Sequence, residues 1–289
     1  MATIRTSEIE VSAITKGAEL SSVKSRDGCE YLWQGDPQFW ARRSPILFPI
    51  VGALPGGVFT HEGKTWKLGN HGFAKDFEFA LVKESETELL YELISDERTL
   101  ELYPFRFKLG IGYSVQGRVL RVSYSVHSQD GKPMYFSIGA HPAFRAPLVE
   151  GERREDFDLL FEKKETVSRH FLNAENLRTG ESEAVLKGED SLRVSPALFE
   201  RGAIILDKHL SRRVTLKSRV SGRFVSVSFP GFPQLGIWSP KGDCPFVCIE
   251  PWFGFMPLAL SSPELATKES CLTLKPGERF EAFWEVEIG

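Results

Sequence analysis

The sequence predicts an all-β fold, a large antiparallel β-sandwich with little helix, and three observations support this prediction. Apolar and polar residues alternate along several short segments, as they do in strands that bury one face. Glycine and proline, with 25 and 17 residues, recur between these segments instead of collecting in one linker. Dipeptides typical of tight turns separate pairs of β-type runs. We therefore expect many short strands along the whole chain.

Two segments show the strand period of two residues most clearly. In residues 120–127 every even position is apolar and every odd position is polar. In residues 280–288 apolar positions again alternate with glutamates, and only Phe283 breaks the pattern. Each segment is predicted to be a strand with one face in the core. Phe283 indicates that the other face of the second strand is partly covered.

Turn signals are more frequent in this chain than helix signals. Ser195 and Pro196 match the N-cap and first residue of a short helical turn that ends at Phe199, and residues 263–265 allow another. Five dipeptides with glycine in second place match the turns of hairpins. They are Glu62–Gly63, Gln116–Gly117, Asp130–Gly131, Ser221–Gly222 and Pro276–Gly277.

A single domain is predicted for residues 1–289. The chain is 42% hydrophobic, which is enough for a large core, and all-β sandwiches of this length occur as one domain. No composition shift, internal repeat or low-complexity tract marks a boundary. Two charged segments, residues 150–156 and 162–164, are expected to be solvated loops.

Charge and hydropathy argue against two classes of protein. The formal net charge is -3, whereas proteins that bind nucleic acid need a basic surplus. No run approaches the roughly 18 consecutive apolar residues of a membrane span. The first ten residues lack the basic-then-apolar pattern of a signal peptide. We therefore expect a cytoplasmic protein that contacts neither nucleic acid nor a membrane.

The four cysteines do not indicate a disulfide framework or a structural zinc site. Cys29, Cys244, Cys248 and Cys271 include no CxxC pair, and four are few for a chain of this length. Cys248 lies inside an apolar run and is expected to be a buried thiol of the core. We expect reduced thiols and no bound metal.

Glu250 is the one carboxylate in the otherwise apolar or proline run of residues 246–253. A buried, ionised carboxylate costs free energy unless it is paired, hydrogen-bonded or neutralised by a raised pKa. Two interpretations follow from the residues alone. Glu250 is either a general base whose pKa lies above the reference value of about 4.3, or a structural glutamate paired to an arginine.

Two histidines are candidates for function on similar grounds. His141 lies among the small and apolar residues 137–144, and Pro142 favours an extended backbone at the histidine. Taken alone, such a histidine is more often a hydrogen-bonded core residue. His71 follows the predicted hairpin of residues 58–68 and precedes a glycine, which by itself is a weak signal. The remaining histidines are expected at the surface: His61, His127, His170 and His209.

Four motifs follow one another along the chain: PILFPIVG at residues 45–52, HGFAK at 71–75, GAHPAF at 139–144 and EPWFG at 250–254. In this order they resemble the aldose 1-epimerase (galactose mutarotase) family, and within it the LacX-type branch. No single motif is specific, but the ordered set is. The resemblance implies a large antiparallel β-supersandwich with a sugar bound in a cleft on one sheet, which agrees with the all-β prediction.

The resemblance also implies a cofactor-independent isomerase that interconverts the α and β anomers of a free hexose or a related sugar. Such a reaction needs one group that protonates the ring oxygen and one that deprotonates the anomeric hydroxyl. By similarity, Glu250 is the base, His141 is the acid, and His71 hydrogen-bonds the sugar on the ring-oxygen side. The ring opens, the C1–C2 bond rotates, and reclosure yields the other anomer without a metal.

The chain departs from the family pattern at a sugar-binding arginine. Better-studied galactose mutarotases carry an Asn-Arg pair shortly before the hairpin that precedes the first histidine, and Ala53 occupies the place of that arginine here. Arg42, Arg43 or Lys75 could supply the cation, and we favour Arg43 and Lys75, with ordinary surface salt bridges as the alternative. Asp207 is similar in position to a family aspartate that binds sugar hydroxyls.

Three alternatives stand beside a free-sugar mutarotase. A hexose-6-phosphate epimerase of the same superfamily would need a cationic pocket, to which Arg42, Arg43 and Lys75 could contribute. A carbohydrate-binding protein without turnover would need no acid and base, which counts against this alternative. The absence of the family arginine at Ala53 keeps the alternative open. A glycosidase would need two carboxylates at the scissile bond, and only Glu250 qualifies. The partner is in each case a small sugar, and we expect a monomer or homodimer.

Overall fold

The structure, a computed structural model that describes residues 1–289, consists mainly of antiparallel strands. The strands that precede residue 130 are β1 (Ala2–Arg5), β2 (Ile9–Ala13), β3 (Leu20–Ser25), β4 (Ile46–Leu47), β5 (Val58–His61), β6 (Lys64–Lys67), β7 (Ala80–Glu84), β8 (Glu88–Ile94), β9 (Phe107–Gln116) and β10 (Val119–Ser128). Those that follow are β11 (Met134–Phe136), β12 (Ile138–Ala140), β13 (Ala143–Arg145), β14 (Phe157–Leu172), β15 (Arg178–Arg193), β16 (Ile204–Leu206), β17 (Arg213–Ser218), β18 (Phe224–Ser228), β19 (Gln234–Trp238), β20 (Phe246–Phe253), β21 (Leu272–Leu274) and β22 (Arg279–Ile288). The prediction of an all-β fold is confirmed.

Helix is confined to two short segments, α1 (Glu97–Leu102) and α2 (Pro196–Phe199). Helix α2 lies where it is predicted, and the helical signal at residues 263–265 corresponds to a 3-10 turn at Leu265–Thr267. Helix α1 is a finding of the structure, and its capping box joins Asp96 and Thr99. Neither helix has the length and apolar character that crossing a membrane requires. Three further 3-10 turns complete the helical segments: Pro55–Gly57, Ala74–Asp76 and Arg154–Asp156.

Fifteen strands form one continuous sheet. Its hydrogen-bonded order is β4-β12-β20-β19-β16-β14-β17-β18-β22-β10-β9-β8-β7, with β13 added to β20 and β15 added to β14. Strands β1, β2 and β3 form a separate sheet, and β5–β6 and β11–β21 form two-stranded sheets. Every one of these strand pairs is antiparallel.

The two strands predicted from alternation, β10 and β22, are neighbours in the large sheet. Val122 pairs with Trp284 in their register, so the apolar faces of both strands enter the same core. On the opposite face, the guanidinium of Arg121 lies 4.2 Å from the centroid of the Phe283 ring. The expected partial cover of Phe283 is therefore confirmed.

Three of the five predicted turns join strands that pair with each other, at residues 62–63, 116–117 and 221–222. The other two predictions of hairpins, at residues 130–131 and 276–277, are wrong. Strands β11 and β21 pair with each other, so these two turns lead into and out of a small separate sheet. The turn residues show where the chain reverses, but they do not show which strands pair afterwards.

One hydrophobic cluster of 64 buried residues extends from Ala2 to Ile288. This continuity supports our proposal that residues 1–289 form a single domain. A smaller cluster joins Trp33, Phe246 and Cys248 and is covered by partly buried aromatic rings. All four cysteines are free thiols, as expected.

One of the two charged segments differs from its prediction as a solvated loop. In residues 150–156, Glu152 and Arg154 are buried, so the prediction is wrong there. Glu152 accepts hydrogen bonds from the backbone of the same loop, and Arg154 donates to Ser239 Oγ at 2.9 Å. Residues 162–164 are exposed, as expected, but they belong to strand β14. A charge run does not reveal which of its members find partners after the chain folds.

Two of the four histidines expected at the surface are buried, so their prediction is wrong. The rings of His61 and Phe105 pack with 4.8 Å between their centroids, and those of His209 and Phe229 with 5.7 Å. In each case a segment distant in sequence covers the ring, and a polar local sequence does not reveal this. The other two are partly exposed: His127 and His170.

Candidate active site

A cavity of about 820 Å³ contains His71, His141 and Glu250 in its lining. Six parts of the chain contribute to its wall, and they are far apart in sequence. They are residues 40–45, 70–75, 141, 172–176, 200–203 and 238–256. The structure thus brings together the three residues for which the sequence predicts chemistry.

Three of the four family motifs lie on adjacent strands, which explains why they occur together. Gly139 on β12 pairs with Leu47 on β4 and with Trp252 on β20. A Cβ atom at Gly139 would lie 2.5 Å from the Trp252 ring, and one at Gly236, on the other neighbour of β20, would lie 2.4 Å from it. Glycine on both sides therefore gives the Trp252 indole room to form part of the cavity wall.

Glu250 lies in the middle of β20, opposite Gly236 of β19. The residue is only 2% exposed, and its Oε2 lies 3.2 Å from Nε2 of His141 without hydrogen-bond geometry. Burial raises the pKa of Glu250 well above its ordinary value. The side chain that faces Glu250 is a histidine, and no arginine pairs with it, so the geometry does not favour the alternative of a structural glutamate paired to an arginine.

His141 follows β12 and is 8% exposed. Burial lowers the pKa of His141 to about 3, because an apolar surrounding disfavours the imidazolium. Its ring stacks on the indole of Trp40, with 4.8 Å between the centroids. His141 and Glu250 are in contact, so the two shifted pKa values belong to the pair. Between about pH 3 and the raised pKa of Glu250, the pair holds one proton, and both shifts place it on Glu250.

His71 is held in an unusual backbone conformation over Gly52. Its φ is 64°, a left-handed value that side chains other than glycine rarely adopt. The Gly52 N–H donates to Nδ1 of His71 at 3.0 Å, so the proton of the neutral ring resides on Nε2. Burial, followed by the nearby His141 and Lys75, holds the pKa of His71 well below its ordinary value. His71 therefore offers the cavity a neutral N–H donor.

The glycine after His71 is required by close approach of the backbone. Gly72 has a φ of 69°, and a Cβ atom there would lie 2.2 Å from the carbonyl oxygen of Phe48. The HGFAK motif and the PILFPIVG motif therefore meet at this contact. A side chain at Gly72 would displace His71 from Gly52.

The cations predicted to replace the family arginine divide into two groups. Arg42 and Lys75 line the cavity, and both pair with Asp76, Lys75 at 3.1 Å. Arg43 lies outside the lining, and the carboxylate of Glu19 accepts its backbone N–H at 2.8 Å. Lys75 thus occupies a position from which it can contact a sugar. The assignment of Arg43 stays a prediction that this geometry does not favour.

Asp207 also lies outside the lining. Its Oδ1 lies 3.0 Å from Nε2 of His170, and the His170 ring packs on Phe255 at 5.9 Å between centroids. The role of Asp207 in binding sugar hydroxyls stays a prediction.

Several lining residues carry no signal that sequence reasoning could use. They are polar or aromatic side chains of loops, together with one at the end of β19: Trp40, Asn70, Asn173, Asn176, Arg201, Lys241 and Trp238. Tryptophan near a strand end, as at Trp238, is the one feature that could have indicated a sugar-contacting surface, because aromatic rings present a flat apolar face.

One group of side chains could hold a metal ion. Potential ligand atoms of His141, Cys248 and Glu250 lie within 4.8 Å of one another. Burial raises the pKa of the Cys248 thiol well above its ordinary value, and a metal binds the thiolate, not the thiol. Because the Cys248 thiol stays protonated, these three side chains are a poor set of metal ligands, and we assign no metal to them.

Comparison with known proteins agrees with the geometry. Residues 1–285 match the family model described as Aldose 1-epimerase. The chain therefore belongs to the aldose 1-epimerase family, a class of isomerases that act on sugars. It is 38% identical over 248 residues to the chromosomal Protein LacX of Lactococcus lactis subsp. lactis, a match that covers 83% of each chain.

Two solved structures share this fold closely. A galactose mutarotase related enzyme from Lactobacillus acidophilus superposes with a TM-score of 0.93 at 32% identity, covering 99% of this chain and 96% of that one. A galactose mutarotase-like protein from Lactobacillus casei ATCC 334 superposes with a TM-score of 0.93 at 31% identity and covers both chains fully, at 100%. The predicted family, its LacX-type branch and the galactose mutarotase-like β-supersandwich are confirmed.

Proposed function

We propose that the protein is a cofactor-independent aldose 1-epimerase that interconverts the anomers of a free hexose or a related sugar. The observation that carries this proposal is the 3.2 Å approach of His141 Nε2 to Glu250 Oε2 at the wall of a sugar-sized cavity. An acid and a base that share one proton are what anomer exchange requires, because the reaction returns both groups to their starting state.

In the proposed reaction the sugar enters between the two groups and separates them. The reactive form is the minor one, in which the proton of the pair resides on His141 and Glu250 is ionised. Glu250 then takes the proton of the C1 hydroxyl, and His141 donates its proton to the ring oxygen. The C1–O5 bond breaks as the C1 carbonyl forms, which leaves Glu250 protonated and His141 neutral. After rotation about C1–C2, the O5 hydroxyl attacks the other carbonyl face, His141 takes back its proton, and Glu250 returns a proton to O1.

His71 assists this step as a hydrogen-bond donor that does not change its protonation state. Its Nδ1 is occupied by the Gly52 N–H, so only Nε2–H is available to the sugar. A neutral donor on the ring-oxygen side orients the substrate without competing with His141 for the role of acid. Lys75, held by Asp76 at 3.1 Å, supplies positive charge on the same side of the cavity.

A phosphorylated sugar is the second candidate substrate, and the charges of the cavity favour it. Two carboxyl side chains, Glu200 and Glu250, are outnumbered by four cationic side chains in the lining. These four are Arg42, Lys75, Arg201 and Lys241. Arg201 pairs with Glu183 at 3.0 Å, whereas Lys241 is exposed and free to meet a phosphate.

NMR exchange spectroscopy of the anomeric protons tests the proposal on α-D-glucose, α-D-galactose and glucose 6-phosphate. We expect faster exchange with the protein, and loss of that acceleration in Glu250→Gln and in His141→Asn. Glu152→Gln, which changes a buried carboxylate outside the cavity lining, is the matched control and keeps the activity. Sugar binding without acceleration would overturn the proposal in favour of a carbohydrate-binding protein.

The preferred substrate follows from the same experiment with one further variant. If the phosphate is recognised by Lys241, Lys241→Met raises KM for glucose 6-phosphate and leaves KM for glucose unchanged. An equal effect on both sugars would argue for a free hexose. The cytoplasmic location, the monomeric or homodimeric state, and the absence of nucleic-acid and membrane contacts stay predictions.

A further inference from the structure

The imidazole of His141 is held without a hydrogen bond at its second nitrogen. Nδ1 is buried and has no hydrogen-bond partner, while Nε2 faces Glu250. Catalytic histidines are commonly oriented by a carboxylate or carbonyl that accepts from the nitrogen remote from the substrate. No other residue supplies such an acceptor to His141, and only its own backbone is near enough to favour the charged ring. Contacts with the faces and edges of the ring must therefore help to set its plane.

Aromatic rings enclose His141 instead. The Trp40 indole is stacked on it with an interplanar angle of 30°. Trp238 meets it edge-on, with centroids 5.5 Å apart, and His71 meets it at 87°. A flat ring between one stacked face and two edges has little freedom to rotate about its χ2 bond. The packing therefore selects one orientation, in which Nε2 points at Glu250.

Trp40 is itself fixed by contacts with other residues of the protein. Its backbone N–H donates to the Asp36 carbonyl at 2.9 Å, and its carbonyl accepts from the Trp33 indole N–H at 2.8 Å. Its ring meets Trp238 edge-on at 5.7 Å and Phe246 at 5.8 Å between centroids. The indole face is thus in place before a sugar binds.

We propose that Trp40 is a positioning residue for His141. The indole face of Trp40 sets the plane of the His141 imidazole and stabilises the protonated form of that ring. This inference rests on the proposed epimerase function and assigns to Trp40 the part that a hydrogen-bonded carboxylate plays in other acid histidines. The π face of an indole attracts a cation that lies over it, so the stacking favours imidazolium over neutral imidazole.

The charged groups around His141 show why this contribution matters. Glu250 faces it from β20, and the thiol of Cys248 lies on the same strand. Burial holds the pKa of His71 well below its ordinary value, so His71 is neutral, and the cations Arg42 and Lys75 also line the cavity. Because a bound sugar separates Glu250 from His141, the stacked indole is the stabilising contact that the substrate does not displace.

Two substitutions distinguish the effect of the aromatic face of Trp40 from the effect of its apolar volume. Trp40→Phe keeps a π face on His141, and Trp40→Leu keeps apolar volume without it. Trp40 lies on a loop and is partly exposed, so both variants are expected to fold, which thermal unfolding verifies. The matched control is Trp66→Leu, which removes a partly buried indole stacked on Phe59 outside the cavity lining.

The kinetic readout is the pH profile of anomer exchange. We expect Trp40→Leu to lower kcat about 10-fold with little change in KM, and to move the acid limb down by about half to one pH unit. Trp40→Phe restores most of kcat and the position of the limb, and Trp66→Leu changes neither. A rise in KM alone, equal in both Trp40 variants, would overturn the proposal and make Trp40 a sugar-stacking wall.

A measurement that needs no turnover keeps this inference separate from the proposed function. Long-range proton–nitrogen NMR spectra follow the His141 nitrogens from neutral pH to the lowest pH at which the protein is folded. In Trp40→Leu the signals should keep neutral-imidazole positions to lower pH than in the wild type and Trp40→Phe. The same course in all three proteins would overturn the inference, even for an active epimerase.

Discussion

Glu250 and Glu152 are both buried, 2% and 6% exposed, yet their surroundings act on them in opposite ways. Glu250 Oε2 has no hydrogen-bond partner, and burial raises its pKa well above the ordinary value. Burial also opposes ionisation of Glu152, but hydrogen bonds from Ser218 and Ser221 outweigh it and hold the pKa of Glu152 below the ordinary value.

The difference arises from where each carboxyl group lies in the fold. Glu152 lies in a loop, where the backbone N–H groups of Leu148 and Val149 are free to donate to it at 3.1 and 3.2 Å. Glu250 lies in the middle of β20, whose backbone groups serve the ladder with the neighbouring strands. A carboxylate in a loop can thus be satisfied by the backbone, whereas one inside a sheet keeps its basicity for a substrate.

The largest effect that this comparison predicts is on turnover. Glu250→Gln should lower kcat for anomer exchange by about 10³-fold, since a general base contributes about 10² to 10⁴. Its free energy of unfolding at pH 7 should not fall, because the amide removes a carboxyl group whose ionisation is disfavoured in the fold. Polarimetry and chemical unfolding on the same preparation measure both. A marked loss of stability would place Glu250 with the structural carboxylates.

The reverse pattern is expected for Glu152. Glu152→Gln should lower the free energy of unfolding by about 1–3 kcal/mol, because several donors lose a charged acceptor, and it should leave kcat unchanged. Glu150→Gln, an exposed carboxylate two residues away, is the control and should change neither. If Glu152→Gln slowed exchange as much as Glu250→Gln, the division between the two carboxylates would be wrong.

His71 shares one feature with Glu152 and one with Glu250, and its substitution should have smaller effects on both stability and turnover. Its ring accepts a backbone N–H from Gly52 and also faces the cavity. His71→Asn suits the left-handed backbone and should lower kcat/KM about 10-fold and stability by about 1 kcal/mol. His127→Asn, at a partly exposed position on β10 outside the cavity lining, is the control. Unchanged kinetics in His71→Asn would remove His71 from substrate binding.

The smallest effect is a difference in how stability depends on pH. The pKa of Glu250 in the folded state lies above its ordinary value of 4.5. The stability of the wild type therefore falls as the pH rises past 4.5, and Glu250→Gln becomes more stable relative to the wild type. Lowering the pKa of Glu152 below 4.5 adds stability above that value, which is lost as pH falls. The deficit of Glu152→Gln should therefore shrink below about pH 4. Urea unfolding across this range measures both slopes, and parallel curves would contradict them.

Particular residues show how far the sequence could reach. The strands β10 and β22, the short helix α2 and the candidates Glu250, His141 and His71 are all predicted from local patterns and ordered motifs. Local patterns suffice for the strands because alternation with period two depends only on near neighbours along the chain. Glu250 could be singled out by its local sequence because a carboxylate in an apolar run is expensive wherever it occurs. The two histidines become candidates only through the ordered motifs.

The sequence by itself determined the strand pattern and the residue types of the acid and the base, since both are properties of short segments. Only the tertiary structure decided what surrounds them. That Trp40 covers His141, that Lys241 lines the cavity and that Glu152 is buried follow from segments far apart in sequence. Such segments become neighbours only after the strands of the large sheet pair, and the pKa of a carboxyl group depends on those neighbours rather than on its place in the chain.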